Sequence, residues 1–196
     1  MECILEDFRQ LGIELNPDWL AGLELCSDAP LTDNDVYMAL VCSDLREACL
    51  STSSSPFQPE KLRSVAQLSP GSRFCQITSC IDISISDAQR PRESSTSDKR
   101  MLKFTMHYSN GTSFDAVELE AIPNLPDNPE AGIKVILRGS PPVSNGIIFL
   151  ESQHVHVVGG DIAALQRAQT MRNEDRLRRR DPLCNPRALR EIQNVS

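Results

Sequence analysis

No C-x-x-C pair occurs in the sequence, although the chain contains seven cysteines. An odd number of cysteines without paired spacing is not the pattern of a disulfide framework, and the missing pair also argues against a zinc knuckle. We therefore interpret the thiols as reduced and expect an intracellular protein, nuclear or cytoplasmic.

Long apolar runs are also missing. The first residues, MECILEDFRQLG, are acidic and have too short an apolar run for a signal peptide, and no stretch reaches the length that a membrane-spanning helix needs. We expect no membrane association, and the N-x-S/T matches at Asn110 and Asn194 are then not glycosylated.

Basic side chains are scarce in the first sixty residues, which hold Arg9 and Arg46 against twelve acidic residues. Nucleic acid should not bind to so acidic a region. Residues 167–190 reverse the balance, with eight arginines against three acidic residues. Weak, non-specific contact with phosphates is predicted in this tail, at Arg172, Arg176, Arg178, Arg179 and Arg180. A solvated helix end explains the same arginines about equally well.

Catalytic and cofactor-binding motifs are missing as well. His154 and His156 could offer two imidazoles to one metal ion, but the local sequence supplies no third ligand. We expect both histidines on the solvent side of a last strand, with Val155 and Val157 facing inward. The segment GGD, residues 159–161, lacks the spacing of a phosphate-binding loop and is typical of a strand end followed by a helix cap. These absences predict a non-enzymatic protein without metal or cofactor.

Three short helical patterns occupy the first fifty residues. The first runs from Ile4 to Gly12, the second begins at Asn16-Pro17, and the third begins at Thr32, which with Asp35 imitates a capping box. Helices of this length are marginal alone. We therefore expect them to pack together as a three-helix bundle over residues 1–55.

Beyond a serine- and proline-rich linker, residues 56–69, the apolar period changes from helical to two. The first strand pattern runs from Cys75 to Ile85 and places Cys75 and Cys80, five residues apart, on opposite sides. Asn110-Gly111 and Asn145-Gly146 predict tight turns. Five strands within residues 70–165, followed by a helix, predict an oligonucleotide/oligosaccharide-binding (OB) barrel. The predicted class is α+β, ending in an arginine-rich helix and tail over residues 166–196.

A polar insertion, residues 86–100, separates the first two predicted strands and has almost no apolar side chains. It cannot contribute to a core. Such a segment is either tolerated slack or an arm that becomes ordered on a partner, and the residues alone leave both possibilities open.

The predicted barrel has few features of a nucleic-acid groove. Between residues 70 and 165 the sequence has eight basic against eleven acidic side chains, and its few aromatics include Phe74 and Phe104, which we expect in the core. A single-stranded nucleic-acid-binding module that uses the barrel or the arginine tail is kept as the alternative function.

Three segments resemble a known family: NDVYMALVCSDLR (residues 34–46), KRMLKFTM with DAVELEAIP (residues 99–106 and 115–123), and residues 131–165. The last contains a G-x-K-V-x-L-x-G strand, an N-G hairpin and a V-x-V-x-G-G-D end. Residues 12–165 are similar to the N-terminal region shared by the RecQ-mediated genome instability protein and Tudor-domain-containing protein 3. The short insertion resembles the Tudor-protein branch more closely, although no Tudor module follows in this sequence.

The resemblance implies a helical bundle attached to an OB-fold that binds a type IA topoisomerase of the topoisomerase III class, alpha or beta, within a genome-maintenance complex. In that family the loop between the first two barrel strands inserts towards the topoisomerase gate, and the neighbouring barrel face completes the contact. Transferred by motif, the partner-binding residues would be Asp87, Ala88, Gln89, Arg90, Pro91, Arg92, Glu93, Val117 and Ile147.

Overall fold

The structure is a computed structural model that describes residues 6, 8–27, 29–50, 55–84, 100–109, 111–160 and 162–178. Its helices are α1 (Pro17–Cys26), α2 (Asp33–Cys42), α3 (Leu45–Ala48), α4 (Pro59–Ser64) and α5 (Ala163–Arg178). Its strands are β1 (Arg73–Asp82), β2 (Leu102–Tyr108), β3 (Thr112–Glu118), β4 (Lys134–Leu137), β5 (Val143–Ser144), β6 (Ile147–Leu150) and β7 (Val155–Gly159). No helix among the described residues has the length and apolar character needed to cross a membrane.

The N-terminal helices begin where the sequence predicts. Asn16 caps α1 by accepting from the Asp18 backbone N–H, and Thr32 and Asp35 form a reciprocal capping box on α2. Residues 8–10 are helical and Gly12 has a φ of 74°, whereas residues 1–5 lie outside the described residues. The bundle differs in detail from three equal helices, because α3 is an additional four-residue helix and α1 has no buried residue.

The strands form one seven-stranded sheet in the order β5-β6-β3-β2-β1-β4-β7. All neighbours are antiparallel except β3 and β6, which run parallel. A 3-10 turn, Ser152–His154, joins β6 to β7, so one chain segment pairs with β3 at its start and with β4 at its end. The curled sheet is consistent with an OB-fold. The predicted count of five strands is wrong, because this turn divides the last strand and β5 is an additional two-residue strand.

A β-bulge in β1 changes which side chains enter the barrel. The pairing with β2 shifts between Ile77 and Ser79, and this places an extra residue, Thr78, in β1. Cys75, Ile77 and Cys80 therefore all belong to the barrel core. The predicted opposite orientation of Cys75 and Cys80 is wrong, because the bulge reverses the alternation; Ile81 consequently faces outward.

Two apolar cores lie on opposite faces of the sheet. The barrel interior includes Phe104, Met106 and Ile148. The second core lies between the N-terminal helices and the outer face of the sheet, and it contains Phe74 from β1 together with Leu40 from α2. Phe104 thus fills the barrel as predicted, whereas Phe74 fills the junction between the helices and the barrel.

The segment predicted as a linker, residues 56–69, contributes directly to the barrel core. It contains α4 and supplies Phe57, Leu62 and Leu68, all of which are buried. The Phe57 ring stacks on Phe114 at a centroid distance of 4.0 Å and meets Tyr108 edge-on at 5.0 Å. This segment is therefore part of the folded unit rather than a spacer.

Two glycine positions explain parts of the sequence pattern. Asn145 and Gly146 have φ values of 52° and 81°, as the predicted turn between β5 and β6 requires. Gly160 has a φ of 103°, and a Cβ there would come within 2.5 Å of the Val41 carbonyl oxygen. Gly160 therefore permits close approach of the barrel to α2. Asp161, the predicted helix cap, lies outside the described residues.

Candidate functional site

The predicted partner-binding residues are only partly within the described structure. Those of the insertion, Asp87, Ala88, Gln89, Arg90, Pro91, Arg92 and Glu93, lie outside the described residues. Arg179 and Arg180 also lie outside, while Arg172, Arg176 and Arg178 are placed on the backbone of α5. Of the predicted contact residues, Val117 and Ile147 of the barrel both lie among the described residues.

Val117 and Ile147 lie on the same outer face of the sheet. Val117 of β3 pairs with Phe149 of β6, and Ile147 pairs with Asp115, two residues before Val117. The residues between these positions, including Ala116 and Ile148, point into the barrel core. Val117 is 7% exposed and Ile147 is half-buried. The structure therefore brings the two predicted positions together as diagonal neighbours, with Ile147 the more accessible.

A row of exposed apolar side chains lies on the same face and was missed by sequence reasoning. Ile83, Met101 and Leu119 are 45%, 40% and 50% exposed, and they follow the end of β1, precede β2 and follow β3, respectively. The Ile83 N–H donates to the Met101 carbonyl at 2.8 Å, and Met101 and Leu119 lie two residues beyond the paired Lys103 and Val117 of β2 and β3. We call these three residues the apolar row.

The apolar row borders the chain positions where the polar insertion begins and ends. Ile83 lies just before residue 86, and Met101 lies just after residue 100. Exposed apolar side chains grouped on adjacent strands favour a protein contact, since scattered ones carry no such meaning. The alternation of side chains along β1 is the sequence signal that could have identified the row. The bulge reverses this alternation, however, and cannot be recognised in the sequence.

A buried polar network lies next to the apolar row. The Arg100 Nε donates to Glu118 Oε1 at 2.9 Å, and these two side chains are 3% and 0% exposed. Arg100 Nη1 also donates to the Pro126 carbonyl at 3.0 Å and to Asp127 Oδ1 at 2.9 Å. Burial raises the pKa of Glu118, while the hydrogen bond and charge of Arg100 oppose that rise. The network therefore joins β3, the start of β2 and the loop containing Asp127.

Asp82 joins the two chain positions that flank the insertion. Asp82 Oδ1 accepts hydrogen bonds from the Ser84 N–H at 2.9 Å, from the Ser84 hydroxyl at 2.7 Å and from the Met101 N–H at 3.3 Å. Ser84 and Met101 lie on the two sides of the insertion. One carboxylate oxygen therefore ties together both chain ends from which the insertion extends.

The exposed cationic surface of the barrel is smaller than the sequence count suggests. Arg73 and Lys134 are buried, with 9% and 0% exposure, and the Arg100 side chain is 3% exposed. The Lys103 side chain is 37% exposed and pairs with Asp115 at 2.7 Å. A groove that follows a nucleic-acid backbone needs accessible positive charge. The described part of the barrel therefore offers little support for the nucleic-acid alternative.

The histidines do not form a metal centre in the part of the chain that the structure describes, where no group of three or more potential ligands occurs. His156 is exposed on β7, as predicted. His154 is not on that strand: it lies in the 3-10 turn, is 9% exposed, and its Nδ1 accepts from the Glu151 N–H at 3.2 Å. The prediction of a solvent-facing His154 is wrong, because the turn rotates it inward.

Buried thiols also offer no obvious nucleophile. Burial raises the pKa of Cys49 to about 12, and burial raises the pKa of Cys75 still further. Since the thiolate is the reactive form of cysteine, these two groups are held in the inert form. Their positions in the two cores agree with a packing role.

A groove adjoins the candidate surface at Ile147. It has a volume of about 440 Å³ and lies between α4 and the β5–β6 turn, with Arg63 and Asn145 among its lining residues. Phe57 and Phe114 also contribute to its lining. The groove borders Ile147, but none of its lining residues belongs to the apolar row.

Residues 51–173 match a family model described as RMI1, N-terminal OB-fold domain. The match covers more than half of the chain and includes every strand of the sheet. This family is of a non-catalytic, scaffold type, which suggests an adaptor role in genome maintenance.

Proposed function

The chain belongs to the RMI1 N-terminal OB-fold domain family, and from this premise we propose that it is a non-enzymatic adaptor for a type IA topoisomerase of the topoisomerase III class. The observation that carries the proposal is the apolar row Ile83, Met101 and Leu119, which lies beside the insertion and on the same face as Val117 and Ile147. The insertion, residues 87–98, would supply the second part of the contact.

The mechanism is a shift in population rather than chemistry. A topoisomerase gate alternates between open and closed states, and a partner can change their populations only by binding one of them more tightly. The apolar row would hold the barrel on the enzyme, and the insertion would contact the gate. We propose that this differential contact modulates gate opening in DNA or RNA topology, in the nucleus or the cytoplasm.

The row can be tested by replacing Ile83, Met101 and Leu119 together with serine. Each side chain is roughly half exposed, so its additional burial on binding is worth about 1 kcal/mol. The triple variant should bind a purified topoisomerase III-class enzyme at least about thirtyfold more weakly in a titration, since every 1.4 kcal/mol is about tenfold. The matched control is Leu25→Ser, on α1, where the leucine is 88% exposed. Equal loss in the control, or no loss in the triple variant, contradicts the assigned surface.

The insertion is tested separately by deleting Asp87 to Asp98. If this segment contacts the enzyme, co-purification of the topoisomerase should fall while the barrel remains folded by circular dichroism. Undiminished binding would remove the insertion from the proposal but leave the apolar row. The placement of the chain near the Tudor-protein branch belongs to the same proposal and rests on the shortness of this insertion.

The alternative is a single-stranded nucleic-acid-binding module using the barrel or the tail. Fluorescence titrations with single-stranded DNA and RNA at two salt concentrations separate the two functions. The adaptor proposal predicts weak binding that depends strongly on salt and is lost when residues 167–196 are removed. Tight binding that survives this truncation would favour the alternative.

A further inference from the structure

Each residue of the apolar row directly follows a hydrogen-bonded polar residue, and two of these polar residues, Arg100 and Glu118, form the buried network. Asp82 precedes Ile83, Arg100 precedes Met101, and Glu118 precedes Leu119. Arg100 and Glu118 bond to each other beside the start of β2 and the end of β3, and Asp82 at the end of β1 bonds to the Met101 N–H. The polar and the apolar sets therefore occupy the same three chain segments.

The alternation of side chains along a strand separates the two sets by face. Leu102 and Phe104 point into the barrel core, as does Ala116. Glu118 continues the inward alternation of β3, and its side chain is fully buried. Leu119 then faces outward. Contacts of the network residues on the inner face therefore also hold the backbone segments whose outward side chains form the apolar row.

A buried ion pair of this kind is weak support for stability. Removing two charges from water costs several kcal/mol per ion, and well-packed apolar replacements of such pairs are often neutral or stabilising. The effect of the ion pair on the order of the backbone is separate from its effect on stability. The Arg100–Glu118 pair connects the start of β2, the end of β3 and the loop at Asp127.

We propose that Arg100 and Glu118 are positioning residues that hold the apolar row in its binding-competent arrangement. This inference rests on the proposed function, because the row matters only if it receives a partner protein. Asp82 completes the arrangement by tying the Met101 N–H to the other side of the insertion. A row held in place before binding loses less conformational freedom in the complex, which increases affinity.

The test uses the full chain with the double replacement Arg100→Met and Glu118→Met, which keeps volume and removes both charges. Its unfolding midpoint in urea should stay close to the parent value, while affinity for a purified topoisomerase III-class enzyme falls about tenfold. Backbone amide exchange at Ile83, Met101 and Leu119 should become faster in the free protein. Arg100→Lys keeps the charge and loses the planar fork, so it should be intermediate.

A double-mutant cycle distinguishes positioning from a general structural effect. Combining the double replacement with Met101→Ser should give less than the summed loss of affinity, because both changes act through the row. Summed losses, or unchanged amide exchange at the row, would overturn the inference. The control is Arg46→Met, which breaks a partly buried ion pair with Asp44 at the junction of helices and barrel. It should leave affinity unchanged.

A failure of the proposed function would give a different result from a failure of the positioning role. If the parent protein does not bind the topoisomerase, the adaptor proposal falls, and amide exchange alone decides whether Arg100 and Glu118 order the row. If the parent binds and the double replacement binds equally well, the adaptor proposal stands and the positioning role is wrong.

Discussion

At the scale of single residues, Lys134 is a lysine with no solvent exposure. Its Nζ donates to the Gly132 carbonyl at 3.0 Å, and burial lowers its pKa from the ordinary 10.5 to about 8. Below pH 8 both the folded and the unfolded chain are protonated, and the folded state bears the cost of the buried charge. As pH rises from about 8 towards 10.5 the folded protein loses this proton first, so the contribution of Lys134 to the free energy of unfolding rises.

We therefore expect Lys134→Met to be more stable than the parent near pH 7, by up to about 3 kcal/mol. The difference should shrink as pH approaches 10. Cys49 and Cys75 act in the opposite direction above pH 9, because their folded-state pKa values are raised, but they are common to both proteins and cancel in the difference. Urea unfolding at pH 7, 8.5 and 10 measures the difference in the free energy of unfolding between the variant and the parent. Lys103→Met, at a lysine whose side chain is 37% exposed and paired with Asp115, is the control for the loss of a lysine charge outside the core.

A second prediction at the scale of single residues concerns Arg100. Arg100→Ala leaves the fully buried Glu118 carboxylate without its cation, and this should cost about 3–5 kcal/mol at pH 7. Burial raises the pKa of Glu118, and loss of Arg100 should raise it further, so the stability of the variant should fall as pH rises from the pKa of an unfolded glutamate towards this folded-state pKa. The loss should therefore be smaller at pH 5 than at pH 7. An equal loss at both pH values in urea unfolding would mean that removing Arg100 does not raise the pKa of Glu118 further.

At the scale of elements, α4 and the residues before it are central to the barrel. Phe57 is fully buried and contacts Phe114 and Tyr108, so Phe57→Ala should cost about 3–5 kcal/mol. Phe57→Leu keeps part of the volume and should cost less. Val65→Ala, at a residue that is 41% exposed in the same segment, should change the urea midpoint little. A cost for Phe57→Ala no greater than that of Val65→Ala would show that the segment is only a spacer.

Elements set by local chemistry could be predicted from the sequence, and those set by distant partners could not. The capping box of Thr32 and Asp35 and the turn at Asn145-Gly146 involve neighbouring residues and follow from their types. The bulge at Thr78 depends on the register with β2, which lies beyond the insertion. The pairing of Arg100 with Glu118 likewise joins residues 18 positions apart. For the same reason the sequence indicated Val117 and Ile147 only through a family resemblance and missed the apolar row.

At the scale of the whole molecule, the helices and the outer face of the sheet share the second of the two cores. Phe74 of β1 packs among helix residues such as Leu40, and Ile136 and Val158 of the sheet pack against the same cluster. A helical unit that unfolded by itself would expose Phe74 to water. The predicted division into residues 1–55 and 70–165 therefore does not mean that the two parts unfold independently.

We expect a single cooperative unfolding transition for the two parts. Trp19, the only tryptophan in the sequence, packs against the helical cluster and reports on α1, whereas far-ultraviolet circular dichroism reports on the whole backbone. The two probes should give the same urea midpoint. An earlier fluorescence transition would mean that the helices detach before the barrel unfolds.

The parallel pairing of β3 with β6 affects how the chain reaches this fold. The β2–β3 and β5–β6 hairpins are local and can form early, but β6 can align beside β3 only after the intervening chain has closed a long loop. The same chain segment continues through the Ser152–His154 turn into β7, which pairs with β4. Sheets dominated by such distant pairings fold in about milliseconds to seconds. Barrel closure is then the slow step of folding. It also forms the hydrogen bond from the Leu119 N–H to the Leu150 carbonyl, so the position of Leu119 in the apolar row is fixed only when that step is complete.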